Sequence, residues 1–297
     1  MRILVTGATG QVGWELARSL AVLGEVHALN RAGCDLAAPE AVAERVAALQ
    51  PDVIVNAAAY TAVDRAEKDE AEALRVNGTS VGVLAREARR LGSLLIHYST
   101  DYVFDGEKPA PYVETDPTGP RNAYGRSKLA GELAVREEGC DHLILRTTWV
   151  YASRGQNFLK TMLRLGAERP ELKIVGDQWG APTWARHLSD ATAQVLREAQ
   201  GERRDGRFVS ETLHATAGGA TTWHGFAEAI HRGAHELGLL ARCPVLHAIA
   251  TEEYPLPAAR PKNSRLDGSR LFERFGVRLP EWGPGVGQCL EELTPGR

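Results

Sequence analysis

Arg2-Ile-Leu-Val-Thr6-Gly7-Ala8-Thr9-Gly10-Gln11-Val12-Gly13 opens the chain, and its reading decides the fold. The apolar run 2–6 predicts a short buried strand, which the glycines end in a tight turn. From Gln11 to Leu23, apolar Val12, Leu16, Leu20 and Leu23 recur at helical spacing. Glycine permits both the turn and the close approach of backbone to a pyrophosphate. A helix start adds unpaired N–H groups and the positive end of its dipole. The spacing here is G-x-x-G-x-x-G rather than G-x-G-x-x-G, so the context carries the reading. A strand before, a helix after and a place at the chain start point to a dinucleotide site at Gly7, Gly10, Gln11, Val12 and Gly13. The competing reading is a turn chosen for packing.

Outward from this unit the pattern repeats. Strands are predicted at 25–29, 51–56, 93–98 and 142–146, and helices at 39–49, 66–91 and 122–138. Strands alternating with helices indicate βαβ crossovers and a parallel sheet covered on both faces. The fold class is α/β: a doubly wound, Rossmann-like parallel sheet. Beyond about Trp149 the alternation loosens and prolines rise, which predicts a second, smaller mixed α/β lobe that binds substrate. Residues 1–150 are thus expected to bind the dinucleotide. Residues 151–297 are expected to form mainly the substrate lobe, with some segments, such as a helix over 184–199, returning to the first sheet.

Composition narrows the function classes. With 35 basic and 38 acidic side chains the net charge is −3, which gives no footprint for nucleic-acid binding. No apolar run approaches the roughly 20 residues of a membrane helix, and Met1-Arg2 leads straight into a strand, leaving no room for a signal peptide. Four dispersed cysteines without a Cys-x-x-Cys pair fit reduced thiols in a cytoplasmic protein.

Cofactor choice is read at the end of the second strand. An acidic residue there binds the adenosine ribose in NAD enzymes, but this chain has Asn30-Arg31. Loss of the carboxylate removes repulsion against a 2′-phosphate, and Arg31 could pair with it. NADPH is therefore favoured over NADH. Asp35-Leu36, Ala59-Tyr60-Thr61 and Tyr98, at the ends of later strands, are expected to face the cofactor crevice.

Tyr124-Gly-Arg-Ser-Lys128 lies at the start of a predicted helix, where a four-residue separation puts phenol and ammonium on one face. A phenol normally titrates near 10, and a neighbouring cation is expected to lower that value. Thr100, ending the fourth strand, could set a hydroxyl beside it. Thr100, Tyr124 and Lys128 then form a candidate catalytic set that delivers a proton to a carbonyl oxygen during hydride transfer. Alone, such a helical pair is common; the glycine turn gives it meaning.

Several longer stretches carry a resemblance: Gly7 to Gly13, Val55 to Asp64, Tyr98 to Phe104, Tyr124-x-x-x-Lys128, Arg146 to Tyr151, Gly176 to Thr183 and Arg260 to Leu266. On these the chain resembles the extended short-chain dehydrogenase/reductases, and most closely their dTDP-4-dehydrorhamnose reductase family. The resemblance implies reduction by NAD(P)H of the 4-keto group of dTDP-4-dehydro-6-deoxy-L-mannose to dTDP-L-rhamnose, the last step in making that sugar donor. By matching positions it implies Tyr124 as proton donor and Lys128 as the group that acidifies it and binds the nicotinamide ribose. It also implies Thr100, Asp101 and Trp149 at the sugar, and Arg260 at the diphosphate, for which an ordinary surface arginine is the alternative.

The family also includes Mg²⁺-dependent homodimers, which directs attention to Glu15 and Glu292. Two carboxylates are few for a hard cation, so no metal site is assigned and two solvated surface groups remain the competing reading. Related 4,6-dehydratases carry a glutamate base after a Thr-Asp pair, where this chain has Tyr102. A phenol cannot readily serve as that base at neutral pH. Two alternatives stay open: another nucleotide-sugar reductase or epimerase, and a non-catalytic subunit like the methionine adenosyltransferase β-subunit.

Overall fold

The computed structural model describes residues 1–294. In chain order, β1 (Arg2–Thr6) leads into α1 (Gln11–Ser19), β2 (Glu25–Leu29), α2 (Pro39–Leu49) and β3 (Val53–Asn56). The single helix expected over 66–91 is broken into α3 (Val63–Ala66), α4 (Glu70–Leu74), a π-helical turn over Arg75–Thr79 and α5 (Ser80–Leu91). The π turn has its cause in another segment. Asn77 in the π turn spends its side chain on the Tyr60 backbone, accepting from its N–H at 2.8 Å and donating to its carbonyl at 3.0 Å.

Then come β4 (Leu94–Thr100), α6 (Ala123–Glu138) and β5 (His142–Thr147), followed by β6 (Val150–Tyr151), α7 (Phe158–Glu168), β7 (Glu171–Val175), β8 (Trp179–Gly180) and β9 (Thr183–Trp184). The chain closes with α8 (Ala185–Arg204), β10 (Glu211–His214), β11 (Thr221–Thr222), α9 (Trp223–Glu236), β12 (Val245–Ile249), α10 (Ser269–Phe275) and α11 (Trp282–Glu291).

Six parallel strands form the main sheet in the order β10-β5-β4-β3-β1-β2. Alternation along each strand sends side chains to two cores. Ile3, Val5, Val53, Val55, Ile96 and Leu145 meet Leu16, Leu188 and Leu196 of α1 and α8. Leu4, Ile54, Leu95 and Ile144 meet Val42, Val46, Leu84 and Val135 of α2, α5 and α6. The late elements β10, α8 and α10 therefore complete the first sheet's layers. A third core, including Tyr151, Leu159, Ile174, Trp184, Phe226 and Leu290, lies under the short two-stranded pairs formed by later strands. The order of strands reverses at β1, so the crevice falls beyond its carboxyl end, the position where doubly wound sheets bind ligands. None of the described helices is long and apolar enough to cross a membrane, and the four cysteines are free thiols.

Candidate active site

A cleft of about 870 Å³ opens over the carboxyl ends of β1, β3, β4 and β5, within the usual range for small-molecule sites. Gly7 takes φ +73°, and a Cβ there would lie 2.8 Å from the Ala58 backbone. A Cβ on Gly13 would lie 2.1 Å from the Gly7 carbonyl oxygen, so α1 presses directly onto the turn. Gly10 caps α1 without any side-chain hydrogen bond, leaving the first-turn N–H groups to the cleft. These are the requirements of a diphosphate cradle.

Most residues expected at the site line this one cleft: Gly7, Gly10, Gln11 and Val12 at the turn, Arg31, Asp35 and Leu36 after β2, and Ala59, Tyr60 and Thr61 after β3. Tyr98, Thr100, Asp101, Tyr124, Lys128 and Trp149 line its other end. Gly13 does not; it acts through the α1 contact. Nor does Asn30, whose Oδ1 accepts the Gly33 N–H at 3.1 Å and shapes the loop carrying Arg31. Arg31 pairs with Asp35 at 3.2 Å, so a cation and a carboxylate share that end of the cleft.

The tyrosine environment departs from expectation. Asn122 caps α6 by accepting the Gly125 N–H at 2.8 Å, which starts the helix just before Tyr124. Tyr124 is half-buried, and desolvation pushes its phenol pKa up rather than down, against the pull of the Thr100 hydroxyl. Lys128 does not acidify it here. The Lys128 ammonium position is tied instead to the Tyr98 carbonyl at 2.7 Å and to His97 Nε2 at 3.3 Å. Burial lowers Lys128 itself to about 8, against Glu132, which pulls the other way. Sharing a helix face was thus not enough; the strand beneath α6 captured the amine. Burial likewise pushes the Asp101 carboxyl up to about 6, against the hydroxyls of Ser264, Thr100 and Thr148.

Arg260 does not line the cleft. Its guanidinium is paired with Asp64 at 2.7 Å, and Asp64 also accepts the Ala258 N–H, which anchors the 258–260 strap near Tyr102. Glu15 and Glu292 do meet, though through a cation of the chain itself: Arg186 lies 3.3 Å from Glu15 and also pairs with Glu292. Ser153 donates to the second oxygen of Glu292 at 2.6 Å. The described residues contain no group of three or more His, Cys, Asp or Glu placed to hold a metal ion.

Sequence reading missed Trp223, Thr148, Gln156 and Asn77. Trp223 stacks on Trp149 with centroids 3.6 Å apart and planes 12° off parallel, and its Nε1–H donates to Gln178 at 3.1 Å. Trp149 sits in the left-handed region at φ +46°, an unusual backbone for a bulky residue. Gly180 makes room for it: a Cβ there would lie 2.5 Å from the indole. Gly180→Ala is therefore expected to break the stack, changing the near-ultraviolet circular dichroism of the tryptophans and costing about 1–3 kcal/mol by overpacking. An unaltered spectrum would show the indole is free to move aside. Asn77 joins the Tyr60 loop to α6 by donating to Ser127 Oγ at 2.9 Å. No sequence signal marked Trp223 or Asn77, because each acts through a partner far along the chain.

Known proteins match over the whole chain. A family model described as RmlD substrate binding domain matches residues 1–294. A dTDP-4-dehydrorhamnose reductase of Burkholderia thailandensis is 58% identical, covering 99% of each chain. Among solved structures, a dTDP-4-dehydrorhamnose reductase of Clostridium acetobutylicum superposes with a TM-score of 0.88 at 35% identity over 99% of each chain. One from Bacillus anthracis, in complex with NADP, gives 0.87 at 33% identity over 98% of this chain and 99% of that one. With its strand order, glycine turn and Tyr124–Lys128 pair in one cleft, this chain belongs to the RmlD substrate binding domain family, among nicotinamide-dependent extended short-chain dehydrogenase/reductases.

Proposed function

We propose that the chain reduces the 4-keto group of dTDP-4-dehydro-6-deoxy-L-mannose to dTDP-L-rhamnose, with NADPH as the preferred reductant, in the cytoplasm. The observation that carries this is the continuity of one cleft from the glycine turn to Thr100, Asp101, Tyr124 and Lys128. The residues fit a dinucleotide: a cradle that any Cβ would fill at Gly7, an uncapped helix start, and Arg31 beside Asp35. When bound, reduced nicotinamide supplies the hydride that ketone reduction consumes.

The chain's own residues supply the rest. Residues 1–150 hold the dinucleotide, with Lys128 toward the nicotinamide ribose. The later part of the chain contributes Gly155, Gln156 and Trp223 to the cleft. Trp149, braced by Trp223, forms a wall against the sugar. Tyr124 keeps its proton because desolvation raises its pKa, and it gives that proton to the ketone oxygen as negative charge develops there. Thr100 orients the phenol, and Asp101 receives sugar hydroxyls. Arg260, held by Asp64, fixes the strap at the nucleotide end.

Supplying the purified protein with dTDP-4-dehydro-6-deoxy-L-mannose and reduced cofactor tests the reading. Loss of nicotinamide absorbance with formation of the 4-hydroxy sugar is expected; no oxidation with either cofactor overturns it. Arg31→Ala is expected to raise KM for NADPH at least about tenfold, the scale of one charge-assisted contact, with little change for NADH. Equal effects on both would remove the 2′-phosphate argument.

A further inference from the structure

A buried file of polar groups runs beneath the cleft from β1 to α6. Thr6 Oγ1 donates to Asn56 Oδ1 at 2.5 Å, and the Ala58 N–H donates to the same oxygen at 3.2 Å. Asn56 Nδ2 lies 3.0 Å from His97 Nδ1, and His97 Nε2 lies 3.3 Å from Lys128 Nζ. Thr6, Asn56, His97 and Lys128 are all essentially inaccessible to water.

Proton positions in this file follow from its ends. A backbone N–H can only donate, so the Ala58 contact fixes Oδ1 of Asn56 as the acceptor and turns Nδ2 toward His97. An amide nitrogen only donates, so His97 Nδ1 must be bare. A neutral ring then carries its hydrogen on Nε2, aimed at Lys128. An ammonium has three donors and no acceptor, so it cannot receive that hydrogen. A neutral amine can: its lone pair takes the Nε2–H, and one of its own hydrogens goes to the Tyr98 carbonyl at 2.7 Å.

We infer that His97 is a positioning residue whose Nε2–H bonds the neutral amine form of Lys128 and so disfavours its ammonium. The imidazolium form is excluded by the same geometry, since Nδ1–H would oppose Asn56 Nδ2. Burial, then Lys128, then His142 of β5 push the His97 pKa well below its ordinary value. Glu132 of α6 acts on Lys128 from the opposite side, favouring the ammonium. Lys128 thus takes up a proton only by giving up its bond to His97, and the file sets the pH at which its ammonium becomes available beside the candidate site.

Two measurements test this, and only the second rests on the reductase reading of the site. In the full chain labelled with ¹⁵N-histidine, the His97 ring, assigned by its loss in His97→Gln, is expected to show Nε2 protonated and Nδ1 bare. It should stay so throughout the range in which a free histidine titrates. A ring found with hydrogen on Nδ1, or titrating as an ordinary imidazole, overturns the inference. The second measurement is the pH profile of kcat/KM for ketone reduction. Asn56→Asp replaces the donor facing Nδ1 with an acceptor, forcing the hydrogen onto Nδ1 and offering Nε2 to an ammonium. His97→Gln removes the Nε2–H directly. Both variants are expected to move the alkaline limb upward by about one pH unit, the scale of one hydrogen bond to a charged group. Folded variants whose limb stays at the wild-type position overturn the inference. If the wild type reduces nothing, the ring measurement still decides the question.

Discussion

Tyr124→Phe is expected to lower kcat for ketone reduction at least about 100-fold, the loss that follows removal of a positioned general acid. The substitution deletes one hydroxyl and keeps the ring, whose edge contact with Tyr102 at a centroid distance of 5.5 Å preserves the local packing. Cofactor affinity is expected to stay unchanged, because the glycine turn and the Arg31 loop lie at the far end of the cleft. The pH profile sharpens the expectation. Burial raises the Tyr124 pKa, so the phenol stays protonated through the working range. The alkaline limb of the wild-type enzyme should therefore follow Lys128, near its value of about 8. Stopped-flow nicotinamide absorbance at saturating cofactor reads the rate. Near-normal turnover in Tyr124→Phe would remove the tyrosine from its assigned role.

The largest stability effect is expected at Glu132, one turn along α6 from Lys128. Its carboxylate accepts from Arg146 Nε at 2.8 Å and Nη2 at 2.7 Å, and from Arg136 at 2.9 Å. Glu132 is fully buried and Arg146 is only 2% exposed, with Phe104 stacked on its guanidinium at 4.9 Å. Glu132→Ala leaves that guanidinium buried without its counter-charge, a change that typically costs about 3–5 kcal/mol. Thermal unfolding should move down by roughly 5–8 °C on this scale. Removing both charges with Glu132→Leu and Arg146→Met together should recover much of the loss, since an apolar pair carries no desolvation cost. A single variant as stable as the wild type would show that water reaches Arg146.

The same pair sets an acid limit. Burial pushes the Glu132 carboxyl up, yet Arg146, with Arg136 beside it, outweighs that, and the folded-state pKa lies below the ordinary value. A depressed carboxyl contributes stability that is complete above its unfolded pKa and is lost as pH falls through the folded one. Denaturant unfolding at decreasing pH should show this loss in the wild type and not in Glu132→Ala.

Much of this was readable along the chain. The buried run 2–6, the glycines after it and the apolar spacing of 11–23 are local patterns, and they fix the strand, the turn and the helix start where the structure shows them, while the helix ends at Ser19 rather than running on to Leu23. Five of the six main-sheet strands are readable in the same way. The sixth, β10, is not, because Glu211–His214 is short and half polar, and it becomes a strand only by pairing with β5. The π turn at Arg75–Thr79 was hidden for a related reason: its cause, the Tyr60 backbone, belongs to another segment.

By itself, the sequence determined which residues end strands at the crevice, because period and turn chemistry act between near neighbours. Only the tertiary structure decided where the side chains there spend their hydrogen bonds. Lys128 turned from Tyr124 to the Tyr98 carbonyl and His97 because β4 lies beneath its helix. Trp149 found Trp223, Arg260 found Asp64, and Glu15 met Glu292 across Arg186. Each of those pairings joins distant segments, and polar groups taken out of water bond to whatever partner the packing of the layers brings within reach.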